Sequence, residues 1–257
     1  MQVAIVTGAS SGIGFACATR LAQEGMAVLG TGRDQERLAG LEAAINDREQ
    51  VATLAVDLTD DDAPRRIVQT AVDQWGRVDF LINNAGVGNP KPVHETDDQT
   101  LDYFLNVMLR APFRLSREVI PHMQPGSAII NMTSTFAVVG GLRGGAYSAA
   151  KGGLTALSTH IACQYGPQGI RCNAVAPGVT LTPMVEKRLK DPRFRKMNYE
   201  MTPHQRLGKV EDIASTVAFL CSEGGSFING QTIVVDGGWT STKYLSDFAL
   251  ESEWVAR

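Results

Sequence analysis

The stretch Thr7-Gly8-Ala9-Ser10-Ser11-Gly12-Ile13-Gly14, called here the glycine loop, decides the fold. It follows the apolar run Val3–Thr7 and opens a segment of helical period. Glycine permits a tight turn and close approach of the backbone to a pyrophosphate, and the helix N-terminus offers free N–H groups to that anion. A strand, this loop and a helix in that order predict a dinucleotide site. The predicted contacts in the loop are Gly8, Ser10, Ser11, Gly12, Ile13 and Gly14.

Short apolar runs alternate with segments of helical period along the whole chain. Strands buried on both faces of a parallel sheet have this pattern. The alternation predicts right-handed crossovers and one α/β domain over residues 1–257, a doubly wound parallel sheet with helices on both faces. The predicted strands are Val3–Thr7, Ala27–Gly30, Val51–Val56, Phe80–Asn83, Ala128–Met132, Cys172–Ala176 and Thr232–Val235. Helical segments after the first are predicted around Gln35–Asn46, Ala63–Trp75, Gln99–Val119, Gly145–Tyr165 and Val210–Cys221.

Two segments depart from this alternation. Between Ala176 and Val210 there is no strand signal, and a long insertion after the carboxyl end of a strand is where such folds build a lid. We therefore predict a lid after the sixth strand, at about residues 180–208, called here the lid segment. The last part of the chain, residues 240–257, has large apolar residues among polar ones. We expect this extension to pack against the lid segment or a neighbouring subunit.

Composition excludes several classes of protein. The chain has 24 basic and 27 acidic residues, a net charge of −3, and 44% apolar residues. Nothing in this balance points to nucleic acid or to an anionic membrane. The N-terminus lacks the pattern of a signal peptide, and there is no apolar run of about 18 residues. The four scattered cysteines fit free thiols in a reducing compartment and no metal-ligand pattern. We therefore expect a cytoplasmic protein that binds no metal, membrane or nucleic acid.

The residue after the second strand bears on the cofactor. NAD-specific sites usually place an acid at the end of this strand, on the ribose 2′-hydroxyl. Here the strand runs out as Gly30-Thr31-Gly32-Arg33, and Arg33 can pair with a 2′-phosphate. Two other interpretations stay open: Arg33 as a solvated loop residue, and the adjacent Asp34 as a ribose ligand. The sequence favours NADP(H), with NAD(H) as the alternative.

Tyr147 and Lys151 lie four residues apart in a segment of helical period. This spacing puts both side chains on one face, one turn apart. A free tyrosine, with a pKa of about 10, is a poor acid–base catalyst at neutral pH. We expect the Lys151 ammonium to favour the phenolate and to lower the pKa of Tyr147.

Together with its other motifs, the chain resembles the short-chain dehydrogenase/reductase family over residues 2–239, in the manner of 3-oxoacyl reductases. The resemblance implies a Rossmann-type fold. Ser134 precedes Tyr147 by 147 − 134 = 13 residues, which is the usual interval in this family. The matching motifs are Thr7–Gly14, Asp57-Leu58, Asn83-Asn84-Ala85-Gly86, Asn106, Ser134, Tyr147 with Lys151, and Pro177-Gly178 with Thr182.

The resemblance implies a catalytic role for four residues. Ser134 is expected to hydrogen-bond the substrate oxygen, and Tyr147 to give that oxygen a proton or take it. Lys151 is expected to bind the nicotinamide ribose and tune Tyr147, and Asn106 to hold a water that links Lys151 to solvent. Asn106 as a simple helix cap remains an alternative.

The resemblance also implies cofactor contacts beyond the glycine loop and Arg33. Asp57 is expected to contact the adenine amino group beside the Leu58 backbone. The residues expected to line the cofactor or clamp its nicotinamide end are Asn84, Ala85, Gly86, Tyr147, Lys151, Pro177, Gly178, Thr180 and Thr182. Asn83 is interpreted as structural, bridging strands through its amide, and the side-chain role of Thr180 is left open.

The substrate end is less determined by sequence. Residues 185–197 of the lid segment carry six basic and two acidic side chains, a local charge of 6 − 2 = +4. One hypothesis is that they attract an anionic substrate, and the other is an ordinary solvated lid helix. The predicted pocket residues are Thr135, Phe136, Arg143, Val179 and Met184.

These expectations predict an oxidoreductase that transfers a hydride between NADP(H) and a carbonyl or secondary alcohol, either a ketone, a ketoacid or a 3-oxoacyl compound. The alternatives are an NAD-dependent secondary-alcohol dehydrogenase and a non-catalytic dinucleotide-binding regulator of the same fold. The substrate is expected to be a small molecule. Relatives are commonly homotetramers, built through helix pairs flanking the active site and through the last strand, and the same is expected here.

Overall fold

A computed structural model describes residues 1–88 and 91–241, except for the side chain of Met184. The predicted doubly wound sheet is confirmed. Seven strands lie parallel in the order β3-β2-β1-β4-β5-β6-β7. Their bounds are β1 Val3–Thr7, β2 Ala27–Gly32, β3 Val51–Ala55, β4 Phe80–Asn83, β5 Ala128–Met132, β6 Arg171–Pro177 and β7 Thr232–Val235.

The described part of the chain has nine α-helices, six of which pack on the two faces of the sheet. Side chains alternate along each strand, so Ala4 and Val6 face one layer of helices while Val3 and Ile5 face the other. The helices are α1 Gly12–Gln23, α2 Gln35–Ile45, α3 Ala63–Trp75, α4 Asp98–Leu105, α5 Ala111–Val119, α6 Gly145–Tyr165, α7 Pro183–Glu186, α8 Pro192–Arg195 and α9 Val210–Cys221. Helices α1, α2 and α9 cover the first core, and α3, α5 and α6 cover the second.

Strand β1 is the point at which the strand order reverses. It pairs with β2 on one side and β4 on the other, and successive crossovers run outward in both directions. A crevice opens at the carboxyl ends of strands at such a point, and ligands bind there. Both the glycine loop and Asn84–Gly86 leave strands at this edge.

The segment predicted as one helix, Gln99–Val119, is interrupted. A π turn at Asn106–Arg110 separates α4 from α5, and its carbonyl at Asn106 accepts from the N–H of Ala111, five residues on. Pro112 accounts for the break, because it has no N–H and its ring clashes with the carbonyl four residues earlier.

The lid segment contains no strand ladder. It holds the short helices α7 and α8, a 3₁₀ turn at Arg188–Lys190 and a π turn at Lys196–Glu200. A single β-bridge between Thr180 and Gly208 joins its two ends.

The expectation for the C-terminal extension falls mostly on residues 242–257, which lie outside the described residues. None of the described helices is both long and apolar enough to cross a membrane.

Candidate active site

The glycine loop forms a cradle that side chains would fill. Gly8 and Gly12 have φ angles of +68° and +59°, a region that favours glycine. A Cβ on Gly14 would lie 2.2 Å from the Gly8 carbonyl oxygen. Ser11 is the N-cap of α1 but its side chain makes no capping hydrogen bond, and the first turn carries no acid. The amides at the start of α1 therefore face the crevice without a side-chain cap, which fits a pyrophosphate.

Strand β4 fixes this loop from the neighbouring position. The Thr7 hydroxyl accepts hydrogen bonds of 3.0 Å from the backbone N–H groups of Asn84 and Ala85. The Asn84 amide donates to the Thr7 carbonyl at 2.8 Å. The Asn84 side chain therefore holds the glycine loop through its Nδ2. A Cβ on Gly86 would lie 3.9 Å from Lys151 Nζ, so this glycine borders the Lys151 ammonium.

Asn83 lies in the sheet and points away from this edge. Its Nδ2 donates to Asn131 Oδ1 at 2.8 Å, and Asn131 Nδ2 donates to Ser158 Oγ at 2.9 Å. The interpretation of Asn83 as a strand-bridging residue is confirmed. The buried chain of amides extends to α6 and ties the helix that carries Tyr147 and Lys151 to β4 and β5.

Arg33 lies at the rim beside the predicted adenine contacts. Its Nη1 donates to the hydroxyl of Tyr103 at 3.2 Å and lies 3.9 Å from Asp57 Oδ2. Asp57 also accepts from the Thr59 N–H, which lowers the pKa of its carboxyl. Asp34 instead caps α2 by accepting from the Arg37 N–H at 3.1 Å. Asp34 therefore has a structural partner within the fold.

Ser10, Gly32 and Leu58 complete this rim. A Cβ on Gly32 would lie 3.2 Å from Ser10 Oγ, so the loop hydroxyl borders the end of β2. Leu58 packs its side chain against the core, which leaves its backbone at the crevice.

Three predicted catalytic residues meet where α6 crosses the end of β5. The Ser134 hydroxyl lies next to the Tyr147 phenol and acts to lower its pKa. Ser134 Oγ also accepts from the Phe136 N–H at 3.2 Å, which orients it at the start of a 3₁₀ turn. Lys151 is 3% exposed, and its Nζ donates to the Met132 carbonyl at 2.7 Å. That Nζ lies 5.9 Å from the centroid of the Tyr147 ring.

Burial dominates the acid–base chemistry of both groups on α6. Protein atoms packed around the hydroxyl raise the pKa of Tyr147, while the Ser134 hydrogen bond and the charge of Arg188 act in the opposite direction. Burial lowers the pKa of Lys151 to about 8. The expectation that Lys151 lowers the pKa of Tyr147 is therefore wrong for this structure. The lysine is directed to a backbone carbonyl, and its own charge is costly in this buried position.

Asn106 stands at the junction of α4 and the π turn. Two residues earlier, on α4, Phe104 meets the Tyr147 ring edge-to-face, with centroids 6.5 Å apart, so this helix borders Tyr147. The Asn106 carbonyl accepts at i+5 instead of i+4. Such π turns are frequent at functional sites, because they redirect a backbone group.

The residues predicted at the nicotinamide end lie after β6. Pro177 ends that strand, and Gly178 packs so closely that a Cβ would lie 2.7 Å from Asp236 Cβ. The Thr180 hydroxyl donates to the Gly178 carbonyl at 3.1 Å, which gives it a local structural partner. Thr182 Cγ2 would lie 3.3 Å from a Cβ on Gly12. The start of the lid segment therefore covers the glycine loop.

Two of the predicted pocket residues, Thr135 and Val179, line a cavity of about 390 Å³. Phe136 stands beside it and meets Trp239 edge-to-face at 6.0 Å. Arg143 is exposed on the loop before α6. The side chain of Met184 lies outside the described part of the chain.

Sequence reasoning missed Tyr103 and Trp239. Tyr103 is 38% exposed and lies 70 residues from Arg33 along the chain. Trp239 Nε1 donates to the Met197 carbonyl at 2.8 Å, which ties the lid segment to the end of β7. No local pattern marks either contact, since each joins distant parts of the sequence. Within residues 1–88 and 91–241, no three His, Cys, Asp or Glu side chains are grouped to hold a metal ion.

Comparison with known proteins decides the family. The model of the family described as enoyl-(acyl carrier protein) reductase matches residues 8–240. The chain belongs to the short-chain dehydrogenase/reductase family. Members of this family are oxidoreductases of alcohols and ketones that use nicotinamide cofactors, and this short-chain dehydrogenase/reductase is an enzyme of that kind.

Its similarity to individual relatives extends over nearly the whole chain. It is 34% identical to 2-(R)-hydroxypropyl-CoM dehydrogenase of Xanthobacter autotrophicus, covering 93% of this chain and 99% of that protein. It is 33% identical to the 3-oxoacyl-[acyl-carrier-protein] reductase of Thermotoga maritima, over 92% and 97%. A solved short-chain dehydrogenase/reductase from Brucella melitensis superposes with a TM-score of 0.88 at 32% identity, covering 95% of this chain and 97% of the other.

Proposed function

We propose that this enzyme transfers a hydride between NADP(H) and the carbonyl carbon of a ketone, ketoacid or 3-oxoacyl compound, or the reverse from a secondary alcohol. The observation that carries the proposal is that the Ser134 hydroxyl lies next to the Tyr147 phenol, with the buried Lys151 Nζ 5.9 Å from the centroid of the Tyr147 ring. This arrangement supplies two hydroxyls at one point, where the oxygen of a substrate can be held and protonated.

The two hydroxyls have different tasks. Ser134 is oriented by the Phe136 amide and donates to the substrate oxygen as negative charge develops on it. Tyr147 is kept protonated by its raised pKa, which suits the donor of a proton during reduction. Bound NADPH would supply the hydride.

Lys151 and Asn106 serve the proton supply in this proposal. With a pKa of about 8, Lys151 can both hold and release a proton near neutral pH. It lies beside Gly86, where it can also bind the hydroxyls of the nicotinamide ribose. The π turn redirects the Asn106 carbonyl, and we assign to it the water that connects Lys151 with solvent.

The preference for NADP(H) rests on the rim at Arg33. Its guanidinium is exposed and is held by Tyr103 and Asp57 at the end of β2, while Asp34 is occupied as a helix cap. A 2′-phosphate would meet a cation there, and the nearest acid of the loop is already engaged. The adenine amino group would lie at Asp57, and the pyrophosphate at the amides of Ser11–Gly14.

Substrate class and assembly are proposed more broadly. The relatives named above act on a CoM derivative and on an acyl-carrier-protein thioester, so the family likeness supports a small carbonyl compound without choosing one.

We also propose a cytoplasmic homotetramer, with exposed apolar residues marking its two contact regions. These are Tyr103 and Phe113 on α4 and α5, and Phe219, Phe227 and Val234 around α9 and β7.

The first experiment is a fluorescence titration of NADPH and NADH against wild-type protein and Arg33→Ala. NADPH is expected to bind at least tenfold more tightly than NADH, and Arg33→Ala to remove most of that difference. Tighter binding of NADH would overturn the cofactor preference. Failure of both to bind would overturn the enzymatic proposal itself.

The second experiment tests the chemistry. Tyr147→Phe should lower kcat for a reduced ketone by about 1000-fold or more, because the proton donor is lost, and should leave the Kd for NADPH within about twofold. Turnover retained in this variant would refute the role of Tyr147.

A further inference from the structure

The positive charge of residues 185–197 is largely unpaired. Six basic side chains stand there in a chain whose net charge is −3. Of these, only Lys196 has a carboxylate within 4.0 Å among the described residues, that of Glu200. Asp191 accepts from a backbone N–H at the start of α8, so it serves as a helix cap. Five cations of residues 185–197 therefore have no carboxylate partner among the residues that the structure describes.

One of these cations, Arg188, is held in a defined place. Its guanidinium carbon lies 5.1 Å from the centroid of the Phe194 ring, a cation–π contact. The Phe194 carbonyl accepts from Asn198 Nδ2 at 2.8 Å, and the Asn198 carbonyl accepts from Thr202 Oγ1 at 2.7 Å. Asn198 is 8% exposed and forms part of the cavity wall. The aromatic platform under Arg188 is thus anchored to a buried amide.

The lid segment is itself fixed over the crevice. Trp239 Nε1 donates to the Met197 carbonyl, one residue before Asn198, and the Trp239 ring contacts Phe136. At the other end, Thr182 lies against the glycine loop. These contacts hold the segment that carries Arg188 over the crevice, and the positive charge of Arg188 acts to lower the pKa of Tyr147 there.

The acids near the cavity do not cancel this charge. Asp212 is paired with Arg206 at 2.6 Å. Asp236 accepts from the Gly238 and Thr240 N–H groups at 2.8 and 2.7 Å. Asp212 and Asp236 are thus satisfied within the fold. The third acid of the cavity wall is Glu211, and no carboxylate of the described residues, Glu211 included, lies within 4.0 Å of Arg188.

We propose that Arg188 binds the anionic group of the substrate, and that the substrate is a small keto acid or hydroxy acid. The proposal rests on the proposed function, because it places the anion beside the carbonyl that Tyr147 protonates. Arg188 is suited to this task, since a guanidinium offers a carboxylate two parallel hydrogen bonds. The remaining lid cations add a longer-range attraction.

The test compares matched acids and esters. Wild-type protein, Arg188→Gln and the control Arg193→Gln are assayed with 4-oxocyclohexanecarboxylate and 3-oxobutanoate, and with the methyl ester of each. The control removes the same charge from the exposed surface of α8. Binding of each compound to the protein loaded with NADP⁺ is measured by calorimetry alongside kcat/KM.

Arg188→Gln is expected to weaken binding of the acids and lower their kcat/KM by about tenfold or more, and to change the values for the esters less than about twofold. Arg193→Gln should change all four only slightly, in a manner that high salt removes. Equal effects of Arg188→Gln on acids and esters, or wild-type protein that binds no acid more tightly than its ester, would overturn the proposal. If either of these results is found but wild-type protein still turns over the esters, the proposed function stands. If wild-type protein neither turns over the esters nor binds NADPH, the proposed function is refuted.

Discussion

The glycine loop and the lid segment lie against each other but are held by different means. The loop is fixed by hydrogen bonds from β4, and its glycines leave no room for a Cβ at position 14. The lid segment is built of one-turn helices, joined at its ends by one β-bridge and to β7 by the indole of Trp239. The glycine loop is thus shaped to bind one kind of ligand. The lid segment presents charges and a cavity and is joined to the rest of the fold by few contacts, so substrate specificity can differ there between relatives.

The largest effect is expected from closing the cradle. Gly14→Ala would place a Cβ against the Gly8 carbonyl and the Asn84 amide, so the loop must shift. We expect a loss of about 3 kcal/mol in the free energy of unfolding and at least about a 100-fold loss in NADPH affinity. Denaturant unfolding and fluorescence titration measure these two quantities. In the control Gly40→Ala on α2, a Cβ meets nothing within 4 Å, and stability should rise by about 0.5–1 kcal/mol. A Gly14→Ala protein as stable as this control would show that the loop is not rigid.

The second prediction concerns the charge of the buried Lys151 side chain. The pKa of Lys151 in the folded protein is about 8, below its value of about 10.4 in an unfolded chain, so the charged form costs stability. This cost is present in full below pH 8 and disappears as the pH rises toward 10.4. The free energy of unfolding of Lys151→Met relative to wild type should therefore fall by about 2–3 kcal/mol between neutral and strongly alkaline pH.

Urea unfolding of the two proteins across this pH range measures that difference, and the buried cysteines common to both cancel. Lys187→Met is the control in the lid segment, where the exposed charge stays hydrated in both states. A difference that does not change with pH for Lys151→Met would contradict the assignment.

A smaller effect is expected from untying the lid segment. Trp239→Phe removes the hydrogen bond to the Met197 carbonyl and keeps an aromatic ring beside Phe136. KM for a ketone should rise about three- to tenfold, because the pocket wall is less ordered, while the Kd for NADPH stays within about twofold. Trp75→Phe is a matched control, since its indole donates to the Glu49 carbonyl at 2.9 Å outside the site. An equal loss of NADPH affinity in Trp239→Phe would show that the two regions are coupled.

The smallest effect is expected at the adenine rim. Tyr103→Phe removes the acceptor of the 3.2 Å hydrogen bond that positions Arg33. The ratio of NADPH to NADH affinity should fall about two- to fourfold, as expected for one exposed hydrogen bond. Titration of both cofactors gives the ratio, with Tyr165→Phe at the far end of α6 as a control. An unchanged ratio would mean that Arg33 needs no help from Tyr103.

The sheet was predictable because its signals are local. Each strand is a short apolar run buried on both faces, and all seven were recognised within two residues at each end. The proximity of Tyr147, Lys151 and Ser134 was also predictable, because the Tyr147–Lys151 spacing is set by one helical turn and the position of Ser134 by a family interval. For the neighbouring pair Asn83 and Asn84, the sequence predicted the strand-bridging role of Asn83 but not the hydrogen bond of the Asn84 side chain to Thr7. Side chains alternate in direction along a strand, whereas Asn84 lies in a loop, where this rule does not apply.

Contacts between distant segments escaped the sequence. Tyr103 with Arg33 and Trp239 with Met197 each join positions more than 40 residues apart, and no periodicity marks them. The direction of the Tyr147 pKa also depends on burial, which spacing alone does not reveal. The π turn was not predicted from the sequence, because a proline such as Pro112 is equally common in the first turn of a new helix.

The π turn at Asn106–Arg110 has a consequence for changes in chain length. It amounts to one residue inserted into a helix, and each helical residue advances the chain by roughly 100°. A one-residue deletion there would let ordinary α-helical bonding resume, yet it would rotate α5 relative to α4. Either the Leu115 side chain would lose its place in the hydrophobic core, or the Phe104 ring would lose its contact with the Tyr147 ring. The number of residues in this turn is therefore constrained as firmly as their identity, and a deletion should be tolerated less well than most substitutions.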